Sequence, residues 1–198
     1  MCFMGELADR LDALVVGTTS LDRQITAIVG RGGHRISVAF RTGAYCKYTE
    51  TSLAHQLTQL ATLTFIRYRR EYDKTVEVFC PNVSRDDGIE YRPEIQQYRK
   101  RLDQIAVSAT SPDTTSISLE TRALLRTTVV ISPGTLRRLP EEEFVTALIA
   151  TATLLLALYR SEVNMLKDEI FGLGIPGYVP RKLAAFRANH QPIRSWRR

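Results

Sequence analysis

The residues best suited to bind something are cations set beside aromatic rings. From residue 170 onward the chain carries Arg181, Lys182, Arg187, Arg194, Arg197 and Arg198 and no Asp or Glu, with Trp196 between Arg194 and Arg197. Cations interleaved with an aromatic suit phosphate contact combined with stacking on nucleic acid. The same composition serves a solubilising tail or one that docks on an acidic partner. Further forward, Tyr68-Arg69 and Tyr159-Arg160 repeat the same dipeptide 91 residues apart. Arg67 and Arg70 flank the first copy, and Arg137-Arg138 form the other basic cluster of the body. Arginines so placed can hold DNA phosphates. The competing explanation is a tyrosine packed at a helix end, with its arginine favouring the negative end of the helix dipole.

Other chemistry finds little support. Gly30-Arg31-Gly32-Gly33 could cradle a phosphate, but it matches neither a P-loop nor a GxGxxG, and a hairpin turn explains it more simply. His34, His55 and His190 are far apart and form no HExxH, and Cys2, Cys46 and Cys80 form no CxxC or Cys/His cluster. Glu141, Glu142 and Glu143 suit the first turn of a helix better than a metal site. Ser, His and Asp occur in no nucleophile-elbow motif. The expectation is a protein that is not an enzyme, with no catalytic residue, metal, cofactor or small-molecule substrate in view.

The charges then show how the chain is organised. Its 198 residues carry 27 Lys and Arg against 21 Asp and Glu, a formal net charge of +6. Residues 1–169 balance 21 basic against 21 acidic side chains, so the whole excess belongs to the C-terminal segment. An N-terminus with Glu6, Asp9 and Asp12 and no basic stretch is not a signal peptide. The longest run free of Asp, Glu, Lys, Arg and His, Phe144 to Tyr159, has sixteen residues. That is short of the roughly 20 that span a bilayer, so it reads as a buried helix. Reduced thiols and no membrane segment point to the cytoplasm.

The elements that must position these residues come in two copies. Shifted by 91 residues without a gap, positions 6–71 match 97–162 at 19 of 66 places, among them Arg10-Leu11-Asp12, Gly43, Ala61-Thr62-Leu63 and Tyr68-Arg69. Ordinary composition gives about four. The spacing predicts four segments: a first unit over 1–80, a linker over 81–91, a second unit over 92–170 and a basic, partly flexible tail over 171–198.

Each unit reads as helix, β-meander, helix, an α+β pattern. The first helix runs through Leu7, Leu11, Leu14 and Val15 to a stop at Gly17, and its counterpart through Ile95, Tyr98, Leu102, Ile105 and Ala106. Strands follow at 25–29 and 36–40, joined across the glycine-rich turn, and at 116–120 and 125–132, joined across 121–124. Long helices then run from about Thr49 to Tyr72 and from Pro140 to about Met165. The second is so apolar that burial on several sides is expected. Two such units can cover each other's apolar faces as an intramolecular pseudo-dimer.

A hairpin, a strand ending in an Ile-x-Pro turn and an acidic start to a Leu-rich helix resemble the YbaB/EbfC family. The stretch SLETRALLRTTVVISPGTLRRLPEEEFVTALIATATLLLALYRSE over Ser118–Glu162 carries the resemblance best, with Val129, Ile131 and Pro133 at the pattern positions. In the first unit Val38, Phe40 and Thr42 stand there and the proline is absent. The resemblance implies a nucleoid-associated protein of the bacterial cytoplasm that binds DNA with little sequence specificity. It also implies a tandem duplication supplying both halves of a dimer that single-unit members form from two chains. A second implied role is protein binding or chaperoning beside actinobacterial type VII secretion. Besides DNA or a protein partner, a second copy of the chain could pair through the apolar second long helix.

Overall fold

The computed structural model describes residues 3–30, 35–79, 93–111 and 116–172, with side chains from residue 5 onward. The fold is mixed α+β. Helix α1 (Phe3–Asp12) precedes strands β1 (Val15–Thr19), β2 (Ile25–Gly30) and β3 (Arg35–Phe40) and helix α2 (Glu50–Phe79). Helix α3 (Pro93–Leu102) precedes β4 (Ala106–Thr110), β5 (Ile117–Arg122) and β6 (Arg126–Ile131), the short α4 (Thr135–Arg138) and α5 (Glu141–Phe171). The strands form two three-stranded antiparallel sheets, ordered β1-β2-β3 and β4-β5-β6.

Three expectations change. Leu14 and Val15, read as the end of a helix, lie at and beyond the turn into β1, and Gly17 is a strand residue; Ile105 and Ala106 likewise lead into β4. Each sheet thereby gains a strand. Val16, Thr18 and Ala109 are buried while Val15, Gly17 and Ser108 face outward. This period-two alternation is the mark of a half-covered strand; the preceding leucines extended the helical spacing across it. The long helices also run further than expected, to Phe79 and Phe171.

The third change concerns α5. Its buried residues Phe144, Leu148, Thr151, Leu155, Tyr159 and Leu166 form one stripe, and Leu154, Leu156 and Leu158 beside it are half-buried. The helix is thus covered along one face rather than on several sides. By length and composition it is long and apolar enough to cross a membrane, with a mean hydropathy of 1.6 over its most apolar window. In this fold the stripe instead packs on β3, β4 and β5.

Both long helices reach across to the other sheet. Helix α2 covers β1 and β2 and also packs on β6, while α5 covers β4 and β5 and also packs on β3. The result is one core, in which Ile25, Leu53 and Leu57 join Ile117, Phe144 and Leu148. Polar contacts follow the same crossing. Tyr45 Oη donates to the Leu139 carbonyl at 2.9 Å, and the backbone N–H of Val129 on β6 donates to Thr58 Oγ1 on α2 at 3.0 Å. That second bond satisfies a donor on an edge strand, which would otherwise be open to further pairing.

The β5–β6 hairpin turns on Ala123 and Leu124, both in the left-handed region at φ 53° and 58°. Two successive positive φ values are the geometry of a type I′ turn, which favours Asn-Gly because side chains with a Cβ are strained there. Ala123→Gly is expected to raise stability by about 1 kcal/mol, measured as the midpoint shift in urea unfolding at unchanged slope. A destabilised variant would show that the turn's packing outweighs its backbone strain.

Candidate functional site

The sequence-selected arginines of the body fall into separate environments. Arg137 and Arg138 are exposed on α4, beside the start of α2. Arg138 Nε donates to the Gly134 carbonyl at 3.3 Å, and Arg137 faces Glu50. Glu50 is held below the usual carboxylate range first by its own backbone amide and, against slight desolvation, by the amides of Leu136 and Gly134 and by Arg137. Arg67 donates through Nη1 to the Gly17 carbonyl of β1 at 2.8 Å. Arg69 and Arg70 are exposed and share a shallow surface groove with Lys74, Asp73 and Glu77. Arg69 lies 3.9 Å from Asp73 and Lys74 lies 2.9 Å from Glu71. Exposed pairs of this kind contribute little, so phosphates can compete for these cations. At 1.5 Å per residue, the α4 cluster and the Arg69 cluster sit about 28 Å apart along α2. Arg181, Lys182, Arg187, Arg194, Trp196, Arg197 and Arg198 lie outside the described residues, as do the 81–91 linker and Gly32 and Gly33 of the first hairpin turn, whereas Gly30 is the last residue of β2.

The two Tyr-Arg dipeptides sit within electrostatic reach of each other. Burial pulls the Arg160 guanidinium below its ordinary value, and the neighbouring Tyr68 hydroxyl works against that shift. Reciprocally, burial pushes the Tyr159 hydroxyl up, Tyr98 adds to this, Arg69 opposes it and Asp103 adds again. Each tyrosine therefore feels the arginine of the other dipeptide. Neither arginine is at a helix end, because α2 continues from Arg69 to Phe79 and α5 from Arg160 to Phe171. The dipole explanation fails on this ground, since its influence is confined to the last turn. The dipeptides instead lie inside the two long helices, within electrostatic reach of each other.

Tyr68, Tyr159 and Arg160 border a cleft of about 410 Å³. Leu60 and Phe65 of α2, Leu155 and Leu156 of α5, and Val38 and Val129 of the two sheets supply its apolar wall. Tyr68, Tyr159, Arg160, Asn164 and Lys167 line it too, and no Asp or Glu does among the described residues. Leu124, one of the two left-handed turn residues, also contributes to the wall.

Comparison with protein-family models, with curated proteins and with solved structures finds no match. Function must therefore be argued from this geometry alone.

Of the cavity's polar residues, sequence reasoning selected Tyr68, Tyr159 and Arg160 and missed Thr64, Thr127, Asn164 and Lys167. The missing signal was present in α5. Ala152, Leu156, Arg160, Asn164 and Lys167 recur at helical spacing, so one face of the helix passes from apolar to cationic along its length.

Proposed function

We propose that the chain is a tandem duplication folded as an intramolecular pseudo-dimer of the YbaB/EbfC kind. It acts without catalysis, as a nucleoid-associated protein of the cytoplasm that binds DNA phosphates with little sequence preference. The observation that carries the architectural part is the reciprocal packing of α2 on β6 and α5 on β3, which is what two units related by a twofold would make. Three further features support it. The element order helix, three strands, helix occurs twice. Gly43 and Gly134 both sit in the turn after the third strand, with φ of 71° and 78°. The crossed Tyr-Arg electrostatic influence is mutual.

The middle strands refine the repeat. Ile25 and Ala27 are buried in β2, and their counterparts in β5 are Ile117 and Leu119, an offset of 92 rather than 91. Ser20 N–H bonds the Ile25 carbonyl and Ser111 N–H bonds that of Ile117, each at 2.8 Å, so the second copy has one more residue in this connection. It loses that residue again before β6, whose bounds return to the offset of 91 from β3. The gapless comparison has no identity between residues 23 and 30, where this slip falls.

For DNA, exposed Arg69 and Arg70 join the six cations of the C-terminal segment, eight charges in all. If all engage a duplex, binding should weaken with salt at a log–log slope of about −7. Fluorescence anisotropy of the full chain on a labelled duplex, from low to moderate salt, measures it. Arg69→Gln with Arg70→Gln should lower the steepness by about two. An absence of binding at low salt sinks the nucleic-acid reading, and salt-independent binding sinks the phosphate mechanism.

Protein binding of the secretion-associated kind is the second reading. The outward faces of the sheets favour it, because Val15, Ile28 and Val130 are 61%, 42% and 54% exposed. Such a surface would give salt-tolerant association with a partner.

A further inference from the structure

We propose that the cavity between the two long helices is a binding site for an aliphatic carboxylate, an amphipathic monoanion with a medium-length hydrocarbon chain. This stands independently of the nucleic-acid reading, because it uses the interior face of the helix pair rather than exposed arginines.

The first argument is size and lining. The cleft opens partly to solvent, and its volume of about 410 Å³, with Leu60, Val129 and Leu155 in the wall, falls within the range of about 300–1,000 Å³ typical of small-molecule pockets. Polar solvent is a poor filling for such walls, and an apolar chain is a good one.

The second argument is the asymmetry of the lining. On α2 the wall runs from Leu57 through Leu60, Ala61 and Phe65 to Tyr68. Eleven residues of helix make about 16 Å, the length available to a hydrocarbon chain. On α5 the wall ends in Arg160, Asn164 and Lys167. The lining holds two cations, two tyrosines and an amide and, among the described residues, no Asp or Glu, which suits an anionic head. Arg160 is half-buried, so its charge acts through a medium less screened than water. A guanidinium matched to a carboxylate can make paired hydrogen bonds, which favours that head over an alcohol or an amine.

The third argument concerns where the site sits. Its walls come from α2, α5 and both sheets, so a ligand there would touch both halves of the chain at once. Leu124 is held in a strained left-handed conformation at its edge. Strained backbone of this kind persists where the surroundings fix it, and ligand sites are among such places.

Isothermal calorimetry on the full chain, with decanoate, decanol and decylammonium below their aggregation concentrations, tests the proposal. Decanoate should bind in the micromolar range, decanol at least tenfold more weakly, and decylammonium not measurably. Arg160→Gln and Lys167→Gln should each bring decanoate towards the affinity of decanol, with the circular dichroism of the folded chain retained. Leu156→Trp, which fills the cavity, should remove binding of both while circular dichroism stays unchanged. Decanol binding as tightly as decanoate, or decanoate binding unaffected by Leu156→Trp, would overturn the assignment. So would a lack of decanoate binding to the full chain. The remaining occupant to test is the chain's own C-terminal segment, through Leu183→Asp with Phe186→Asp. Unchanged decanoate affinity supports the proposal, and a tenfold gain would assign the cavity to that segment instead.

Discussion

Phe144→Ala is expected to cost about 3–5 kcal/mol, the range for removing a fully buried aromatic side chain. Phe144 has no exposed surface. Its ring centroid lies 5.5 Å from that of Tyr45 and 6.3 Å from that of Phe40, both tilted or edge-on contacts to residues before α2. Such pairs add about 0.5–1.5 kcal/mol each beyond burial. Phe144 belongs to the first turn of α5, so its loss removes support from both sheets together. Urea unfolding followed by far-ultraviolet and near-ultraviolet circular dichroism should show one coincident transition, shifted to lower urea. Val130→Ala on the outward face should move it by less than about 0.5 kcal/mol. A cost near that value for Phe144→Ala, or two separate transitions, would contradict a core shared by both halves.

How much of this was legible depends on which physical signal was being read. The long helices were, because Leu53, Leu57 and Leu60, and Phe144, Leu148 and Leu155, recur at helical spacing. Strands β2, β3 and β6 were legible through β-branched runs such as Val129-Val130-Ile131. Strands β1 and β4 were not, because each follows a helix after a short turn and its first apolar residues fit the helical spacing as well as the strand alternation. The offset of β5 was hidden because a one-residue gain in one connection is cancelled by a one-residue loss in the next. The burial of Ile117 and Leu119 reveals it. At the site, the Tyr-Arg dipeptides stood out by repetition. That they influence each other rests on how α2 and α5 are placed in the fold, which no local pattern signals. The cavity itself is a property of the space left between helices, and no local pattern encodes such a space.

Separated halves, residues 1–92 and 93–198, are expected to lack a stable fold as isolated monomers and to recover it when mixed in equal amounts. The shared core takes Ile25, Ala27, Tyr45, Leu53, Leu57 and Leu60 from the first half, and a larger set led by Ile117, Phe144 and Leu155 from the second. Either half alone would expose its members of that core, and units of this size bury only about 60% of their surface even when complete. The edge strand β6 would also lose Thr58, the acceptor for the Val129 N–H. Sedimentation and near-ultraviolet circular dichroism should report an equimolar complex with the tertiary signal of the intact chain. The proposed duplication further predicts that the first half pairs with itself at high concentration, through a surface complementary to its own kind. A half that stays monomeric on dilution and still unfolds cooperatively would mean that the crossing of α2 and α5 between the sheets is dispensable. The two units would then be independent domains rather than the two sides of one core.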